Sequence, residues 1–224
     1  MTPPWPRAAL LERIPPKSRE ALLSLGTAIR VPSGRTLLRQ GEPGTVAYLL
    51  LSGCVKVIAH DGAGETLLAI RVGGDLVGEM SVLSGTPRSA TVVTCAPTAA
   101  RSIPAERLRE FLVRHPETGI QVAAMISDRF RWSNERRLAS AALDPRGRVS
   151  RVLLSLAERY GQDTDDGTDL GVPLTQADIA ALAGIRLPTA EKVLRAFAGS
   201  GLLRLGYRRI RVLDPASLRA LAAD

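Results

Sequence analysis

Gly78-Glu79-Met80-Ser81-Val82-Leu83-Ser84-Gly85-Thr86-Pro87-Arg88-Ser89-Ala90-Thr91 gathers in one short run the groups that hold an anionic ester. Gly78 carries no Cβ, so its backbone can approach another group closely. Glu79 beside it can accept from a hydroxyl. A single helical turn over 80–84 would aim its first amides at an anion. Arg88 can offer a fork of N–H donors to phosphate oxygens, and Ser89 adds a hydroxyl. The same residues also suit a surface turn closed by a Glu79–Arg88 ion pair. Chemistry alone leaves these two readings level.

On both sides of this run the chain reads as β structure. From Ile29 to Ile103, short apolar and polar runs alternate between turn signals such as Gly34, Gly53, Gly74 and Pro97. Residues 46–51, 55–59, 66–72 and 90–94 are strand candidates. Many short strands with turns between them imply a β-sandwich, jelly roll or barrel. Helices are expected over 15–25 and 104–114. In the second, Ala105, Leu108, Phe111 and Leu112 recur at helical spacing.

Pro116 then opens a segment without Gly or Pro from Ile120 to Leu143. As a helix, 120–143 would measure roughly 35–40 Å. Its stripe runs Ile120, Ala123, Ala124, Ser127, Phe130, Arg131, Asn134, Leu138 and Ala141. A parallel coiled coil with a second copy fits such a helix; packing on the same chain's β domain is the alternative. Asp144-Pro145-Arg146-Gly147 breaks the pattern and marks a boundary and hinge. An amphipathic helix over 149–160 follows, then an acidic loop with Asp163, Asp165, Asp166 and Asp169.

The last third carries a second pattern, Leu174-Thr175-Gln176-Ala177-Asp178-Ile179-Ala180-Ala181-Leu182-Ala183-Gly184. Thr175 is an N-cap, with Asp178 placed to reach back to its amide. Helices over 176–183 and 188–200 flank the turn Gly184-Ile185-Arg186-Leu187, the layout of a helix-turn-helix. Ala190, Val193, Leu194 and Phe197 should face inward. Thr189, Glu191, Lys192 and Arg195 should face outward, toward bases and phosphates. A hairpin over 202–205 and 208–213 would be a wing, with Tyr207, Arg208, Arg209 and Arg211 near a nucleic-acid backbone. A helix over 215–222 ends the chain.

Composition suits a polyanionic partner. The chain has 224 residues, a formal charge of +8 and 45% hydrophobic residues, enough for one large or two modest cores. Residues 174–224 hold eight Arg or Lys against four Asp or Glu. Nearly all cations are Arg, which suits bidentate contacts to phosphate or guanine, although a GC-rich genome would also supply arginine. No apolar run reaches the roughly 18–20 residues that span a bilayer, so no membrane partner is expected. Pro3, Pro4 and Pro6 interrupt any signal-peptide pattern, and a cytoplasmic location is expected. Cys54 and Cys95 stand alone in apolar, strand-like contexts and match no metal or cluster spacing. They read as buried, inert thiols, and no metal is expected. His60 and His115 are the two histidines, and neither neighbours a candidate nucleophile in sequence. With no P-loop or metal-ligand cluster, the chain is not expected to be an enzyme.

Gly41-Glu42-Pro43-Gly44-Thr45-Val46-Ala47-Tyr48-Leu49-Leu50-Leu51-Ser52-Gly53-Cys54-Val55-Lys56-Val57-Ile58 resembles the cyclic-nucleotide-binding fold, as does the run 78–91. With the C-terminal pattern added, residues 15–220 resemble the cyclic-AMP receptor protein/FNR superfamily of bacterial transcription regulators. The resemblance implies an α+β fold: an N-terminal cyclic-nucleotide-binding β-roll (jelly roll) over 1–115, a long dimerisation helix over 116–143, a hinge at 144–147 and a C-terminal winged helix-turn-helix over 148–224. It implies that cyclic AMP, the expected allosteric ligand, meets Gly78, Glu79, Arg88 and Ser89 through its sugar and phosphate. Counting back from Asp144, Gly147 and Arg148, the adenine-contacting pair falls on Ser133 and Asn134, one residue from each subunit of a homodimer. A purine against the seam would explain polar residues there; Asn134 fixing register with its twin is the alternative. Double-stranded DNA is the implied partner, met by Thr175, Gln176, Leu187, Pro188, Thr189, Glu191, Lys192, Arg195, Arg208 and Arg209, and RNA polymerase is a further one.

The resemblance has one departure of weight. Receptor-type members carry Arg-Glu before Thr-Val at the start of the recognition helix, and this chain has Leu187-Pro188 before Thr189-Ala190. Pro suits the first helical position, but the guanine reader and the cytosine acceptor are gone. Lys192 keeps a charge and loses a fork. Affinity dominated by phosphate contacts, with altered or relaxed specificity, is expected. The iron–sulfur branch needs N-terminal cysteines and the haem branch an axial histidine, and neither pattern is found. A same-fold regulator that binds DNA without nucleotide, or that answers another ligand such as cyclic di-GMP, is the alternative.

Overall fold

The computed structural model of the chain describes residues 5–62 and 64–223. The chain divides into two compact units, one ending at Asp128 and one beginning at Arg129. The first unit contains α1 (Leu10–Arg13), α2 (Pro16–Ser24), β1 (Thr27–Val31), β2 (Thr36–Leu38), β3 (Val46–Ser52), β4 (Cys54–Asp61), β5 (Gly64–Val72), β6 (Leu76–Val77), α3 (Glu79–Ser84), β7 (Thr91–Thr94), β8 (Thr98–Pro104) and α4 (Ala105–Arg114). Helix α5 (Pro116–Ala142) runs from this unit into the next. The second unit adds α6 (Pro145–Tyr160), β9 (Gln162–Thr164), β10 (Gly167–Asp169), α7 (Gln176–Ala183), α8 (Leu187–Gly199), β11 (Leu203–Gly206), β12 (Arg209–Val212) and α9 (Pro215–Leu221).

Strand β3 shows how the sequence dictates the first unit. Its run Val-Ala-Tyr-Leu-Leu-Leu is apolar at nearly every position, as expected of a strand covered on both faces. Successive side chains point to opposite faces. Val46, Tyr48 and Leu50 join Leu38, Val55, Val77, Val92 and Ala100 in one core. Those residues come from two sheets, ordered β1-β8-β3-β6 and β2-β7-β4-β5, so this core fills the space between them. Ala47 and Leu49 point the other way. They join Leu10, Leu11, Leu22, Leu108, Phe111, Val122 and Met125, so helices α1, α2, α4 and the start of α5 cover the outer face of the first sheet. Each fully buried Leu in such a core contributes about 2 kcal/mol or more. The architecture is the β-roll that the resemblance implied, within the two-layer β class that the alternating pattern indicated.

The long helix is continuous across Pro116–Ala142. Val122 and Met125 are buried in the first unit, and Trp132 and Ala139 in the second. Ile120, Phe130 and Leu138 on the predicted stripe are 67%, 68% and 69% exposed. One face therefore packs on its own chain, as the second reading of this helix has it, and the other stays uncovered. No helix among the described residues is long and apolar enough to cross a membrane.

Leu143 and Asp144 alone separate α5 from α6. The Asp144 carboxylate accepts from the Gly147 amide at 2.8 Å and Pro145 sits in the first turn, so Asp-Pro-Arg-Gly is a capped helix start. The acidic segment is corrected from a loop to a hairpin. β9 and β10 pair antiparallel and extend the wing into one sheet ordered β11-β12-β10-β9. The sequence hid this because acidic residues are poor strand formers and only three residues of each strand pair.

Candidate functional site

Gly78 follows β6 and is the N-cap of α3. Its φ of +80° is a left-handed value that a side chain would resist, and an added Cβ would meet Arg88 Nη1 at 2.7 Å. Glu79 and Arg88 are both buried, 2% and 5% exposed. The loop between β2 and β3 clamps the segment after α3. Gly41 donates its amide to the Arg88 carbonyl at 2.9 Å, and Arg88 donates its amide to the Glu42 carbonyl at 2.9 Å. Ser81 Oγ donates to the Pro87 carbonyl at 3.3 Å.

The Arg88 guanidinium itself is held by main chain. Nη1 donates to the Gly78 carbonyl at 2.8 Å, and Nη2 donates to the Val46 carbonyl. Burial lowers its pKa, opposed by Tyr48, Glu79 and Glu42. A guanidinium has five N–H donors, so contacts from two nitrogens leave capacity for an anion. Both side chains are buried, so a turn lying on the surface does not describe them, while Glu79 still acts electrostatically on Arg88. Ser89 is exposed at the end of the segment. Ser133 is exposed and Asn134 half-buried on the α5 portion that belongs to the second unit.

In the second unit, Thr175 and Asp178 form the reciprocal cap that the sequence implied. Thr175 Oγ1 accepts from the Asp178 amide at 3.2 Å, and the Asp178 carboxylate accepts from the Thr175 amide at 2.9 Å. Ala190, Val193, Leu194 and Phe197 are buried along α8. Leu187, Pro188, Lys192 and Arg195 are exposed, and Gln176, Thr189 and Glu191 are half-exposed. Leu187 and Pro188 form the first turn of α8, so the unusual pair stands at the front of the second helix of the motif.

Two features of this unit were not legible beforehand. Arg136, near the end of α5, donates Nε to the Leu182 carbonyl at 2.8 Å, capping the last turn of α7. Its guanidinium also lies 4.7 Å from the Trp132 ring centroid, and that ring meets Arg159 at 5.7 Å. The second feature is in the wing. Asp166 accepts from both Arg204 and Arg211, and Arg209 Nε lies 3.4 Å from the Asp169 carboxylate. Tyr207 is 92% exposed at the wing tip and Arg208 has a φ of 53°.

Near the start of α5, Ser18, His115 and Glu117 meet, a contact between residues 97 and 99 positions apart. Ser18 Oγ donates to Glu117 and lies 3.2 Å from His115 Nδ1. The same Nδ1 lies 3.5 Å from Glu117. A relay would need opposite ring nitrogens facing hydroxyl and acid. One nitrogen serves both here, so the cluster ties α2 to α5 and does not activate the serine.

Two family models match the chain: Cyclic nucleotide-binding domain over 28–115, and Crp-like helix-turn-helix domain over 147–221. A CRP-like cAMP-activated global transcriptional regulator of Mycobacterium tuberculosis is 34% identical, covering 93% of this chain and 93% of its own. A Cyclic AMP receptor protein of Thermus thermophilus is 32% identical, covering 95% of this chain and 96% of its own. Among solved structures, the c-di-GMP responsive global regulator CLP of Xanthomonas campestris matches with a TM-score of 0.72 over 88% of this chain and 99% of that one. At 23% identity that likeness concerns the fold. A cyclic-nucleotide-binding β-roll followed by a Crp-like helix-turn-helix defines a DNA-binding transcription regulator. The chain belongs to the cyclic-AMP receptor protein/FNR family.

Proposed function

We propose that this regulator is a homodimer whose hold on double-stranded DNA is set by cyclic AMP. The observation that carries the ligand reading is the Arg88 guanidinium, buried and fixed between the Gly78 and Val46 carbonyls with Glu79 buried nearby. A buried cation with unspent donors is a place for a phosphate, since a fork to an oxyanion compensates the desolvation of both. Glu79 takes the ribose hydroxyl, Ser89 adds a donor at the rim, and the adenine meets Ser133 and Asn134. The names of the two relatives at 34% and 32% identity, both cyclic-AMP regulators, favour this nucleotide over cyclic di-GMP.

Pairing of two copies is supported by Ile120, Phe130 and Leu138, large apolar side chains left exposed on one stripe of α5. The ligand acts by favouring one arrangement of the dimer over another, with 144–147 as the hinge. On DNA, Thr189, Glu191, Lys192 and Arg195 face the groove. Thr175 and Gln176 at the start of α7, with Arg208 and Arg209 in the wing, serve the phosphates. Leu187 takes a thymine methyl in place of the usual guanine fork. The protein works in the cytoplasm, with RNA polymerase as a further partner.

Isothermal titration tests the ligand. Cyclic AMP is expected to bind the wild-type protein, and Arg88→Ala to weaken it at least about 30-fold, as loss of a charged, buried hydrogen-bonding partner does. Cyclic di-GMP is the control. Equal binding of cyclic AMP by both proteins would remove Arg88 from the site.

A further inference from the structure

Cys54 and Cys95 looked unrelated in sequence, yet the fold puts their sulfurs 2.9 Å apart. Strands β4 and β7 pair antiparallel with Val55 opposite Thr94, so Cys54 and Cys95 are the next opposed positions. Opposed residues in such a pair have Cα atoms about 4.5–5.5 Å apart, within the range a disulfide spans. The Cys95 amide donates to the Cys54 carbonyl at 2.8 Å, which locks that register. Gly53 makes the approach sterically feasible. Its φ is +89°, and an added Cβ would meet the Pro97 carbonyl at 2.5 Å and Thr98 Oγ1 at 2.6 Å. The turn carrying Cys95 therefore lies against the start of β4.

We infer that Cys54 and Cys95 are a modification site: a dithiol that a peroxide oxidises to an intramolecular disulfide. Cys95, 6% exposed against 2% for Cys54, is the sulfur that a small oxidant reaches first. It attacks one peroxide oxygen. The O–O bond breaks, one water leaves, and Cys95 becomes a sulfenic acid. The Cys54 sulfur then attacks Cys95, the S–O bond breaks and a second water leaves. Two thiols have given up two electrons and two protons, and the peroxide has accepted them. Sulfurs already in contact make the second step fast relative to over-oxidation or to capture by another chain.

The position gives the bond a consequence. The two cysteines lie 41 residues apart, and the ring they close contains Gly78, Glu79, Arg88 and Ser89. Oxidation would tie the base of the segment that carries the phosphate-binding groups. The inference stands on the thiol geometry and holds whichever anion those groups take.

The test treats folded, reduced protein with excess hydrogen peroxide. Intact mass should fall by two hydrogens, and a non-reducing peptide map should join the Cys54 peptide to the Cys95 peptide of the same chain. Dithiothreitol should restore the mass. The melting temperature of the oxidised form should rise by about 5–10 °C, as closing a ring of this length predicts. Cys54→Ala and Cys95→Ala should each abolish the cross-link. Thiols still titratable after peroxide, sulfinic acid without a cross-link, a bond between two chains, or an unchanged melting temperature in the cross-linked form would each overturn the inference. The wild-type mass and map decide the matter even if one variant fails to fold.

Discussion

Asp166 illustrates how a single residue sets which wing cations are already paired. Its carboxylate accepts from Arg204 and Arg211. Burial pushes its pKa up, and the two guanidiniums more than reverse that, leaving it below the ordinary value. The pairs are largely exposed, so salt screens them. In Asp166→Asn, two cations lose an internal partner and become available to phosphates. The expected result is tighter DNA binding, with the slope of log affinity against log salt steeper by about 1 per phosphate newly contacted. An unchanged slope would mean that these arginines point away from DNA. Glu117, held by Ser18, and Asp214, held by Ser217, also lie below the usual carboxylate range. Such a group binds fewer protons folded than unfolded, between its folded pKa and the usual value near ~4. Its stabilisation is present above that usual value and is lost as pH falls through the folded value. Melting temperature should therefore hold from neutrality to about pH 5 and fall below it. Glu117→Gln should flatten that fall; a Glu117→Gln curve parallel to wild type would count against the linkage. At this scale the sequence pointed to residues that the fold buries, and it was a poor guide to their partners. Arg88 and Glu79 were singled out from the residues, but the Val46 carbonyl that holds Arg88 lies 42 residues away and no spacing announces it.

Elements were legible where one period dominated. The capping residues Thr175 and Asp178 fixed the start of α7, and the buried set of α8 followed from helical spacing. The acidic hairpin β9–β10 was missed because its support comes from the wing strand β12. The tie from α5 to α7 was missed for a similar reason. Arg136 is one arginine in a helix that also carries Arg129, Arg131 and Arg137, and only the fold selects it. Burial lowers its pKa, and its Nε caps the Leu182 carbonyl. This bond joins the long helix to the first helix of the DNA-reading pair, so Arg136 positions α7. Arg136→Ala should cost about 1–3 kcal/mol of stability, because it removes a charged donor from buried carbonyls. Arg136→Lys, which keeps the charge without the planar fork, should recover part of it. Thermal unfolding measures the loss, and DNA affinity measured well below the transition should fall with it. Full DNA affinity in a folded Arg136→Ala protein would make the cap a stability device only.

At the scale of the whole molecule, a β-roll and a winged helix-turn-helix are joined by one continuous helix that enters both units. This connection is the physical reason to expect a small ligand on one unit to be felt by the other. A ligand shifts such an equilibrium only by its differential affinity for the two states. The same reasoning fixes the decisive measurement. Duplexes are first selected by this protein from random sequence, because Leu187 and Pro188 stand at the start of α8 where receptor-type members carry Arg-Glu. Binding of the selected duplex is then followed by fluorescence anisotropy, with and without saturating cyclic AMP, for wild type and Arg88→Ala. The account predicts that cyclic AMP tightens DNA binding by wild type about tenfold or more, a coupling of about 1.4 kcal/mol, and leaves Arg88→Ala unaffected. Wild-type affinity that is the same with and without cyclic AMP would contradict it.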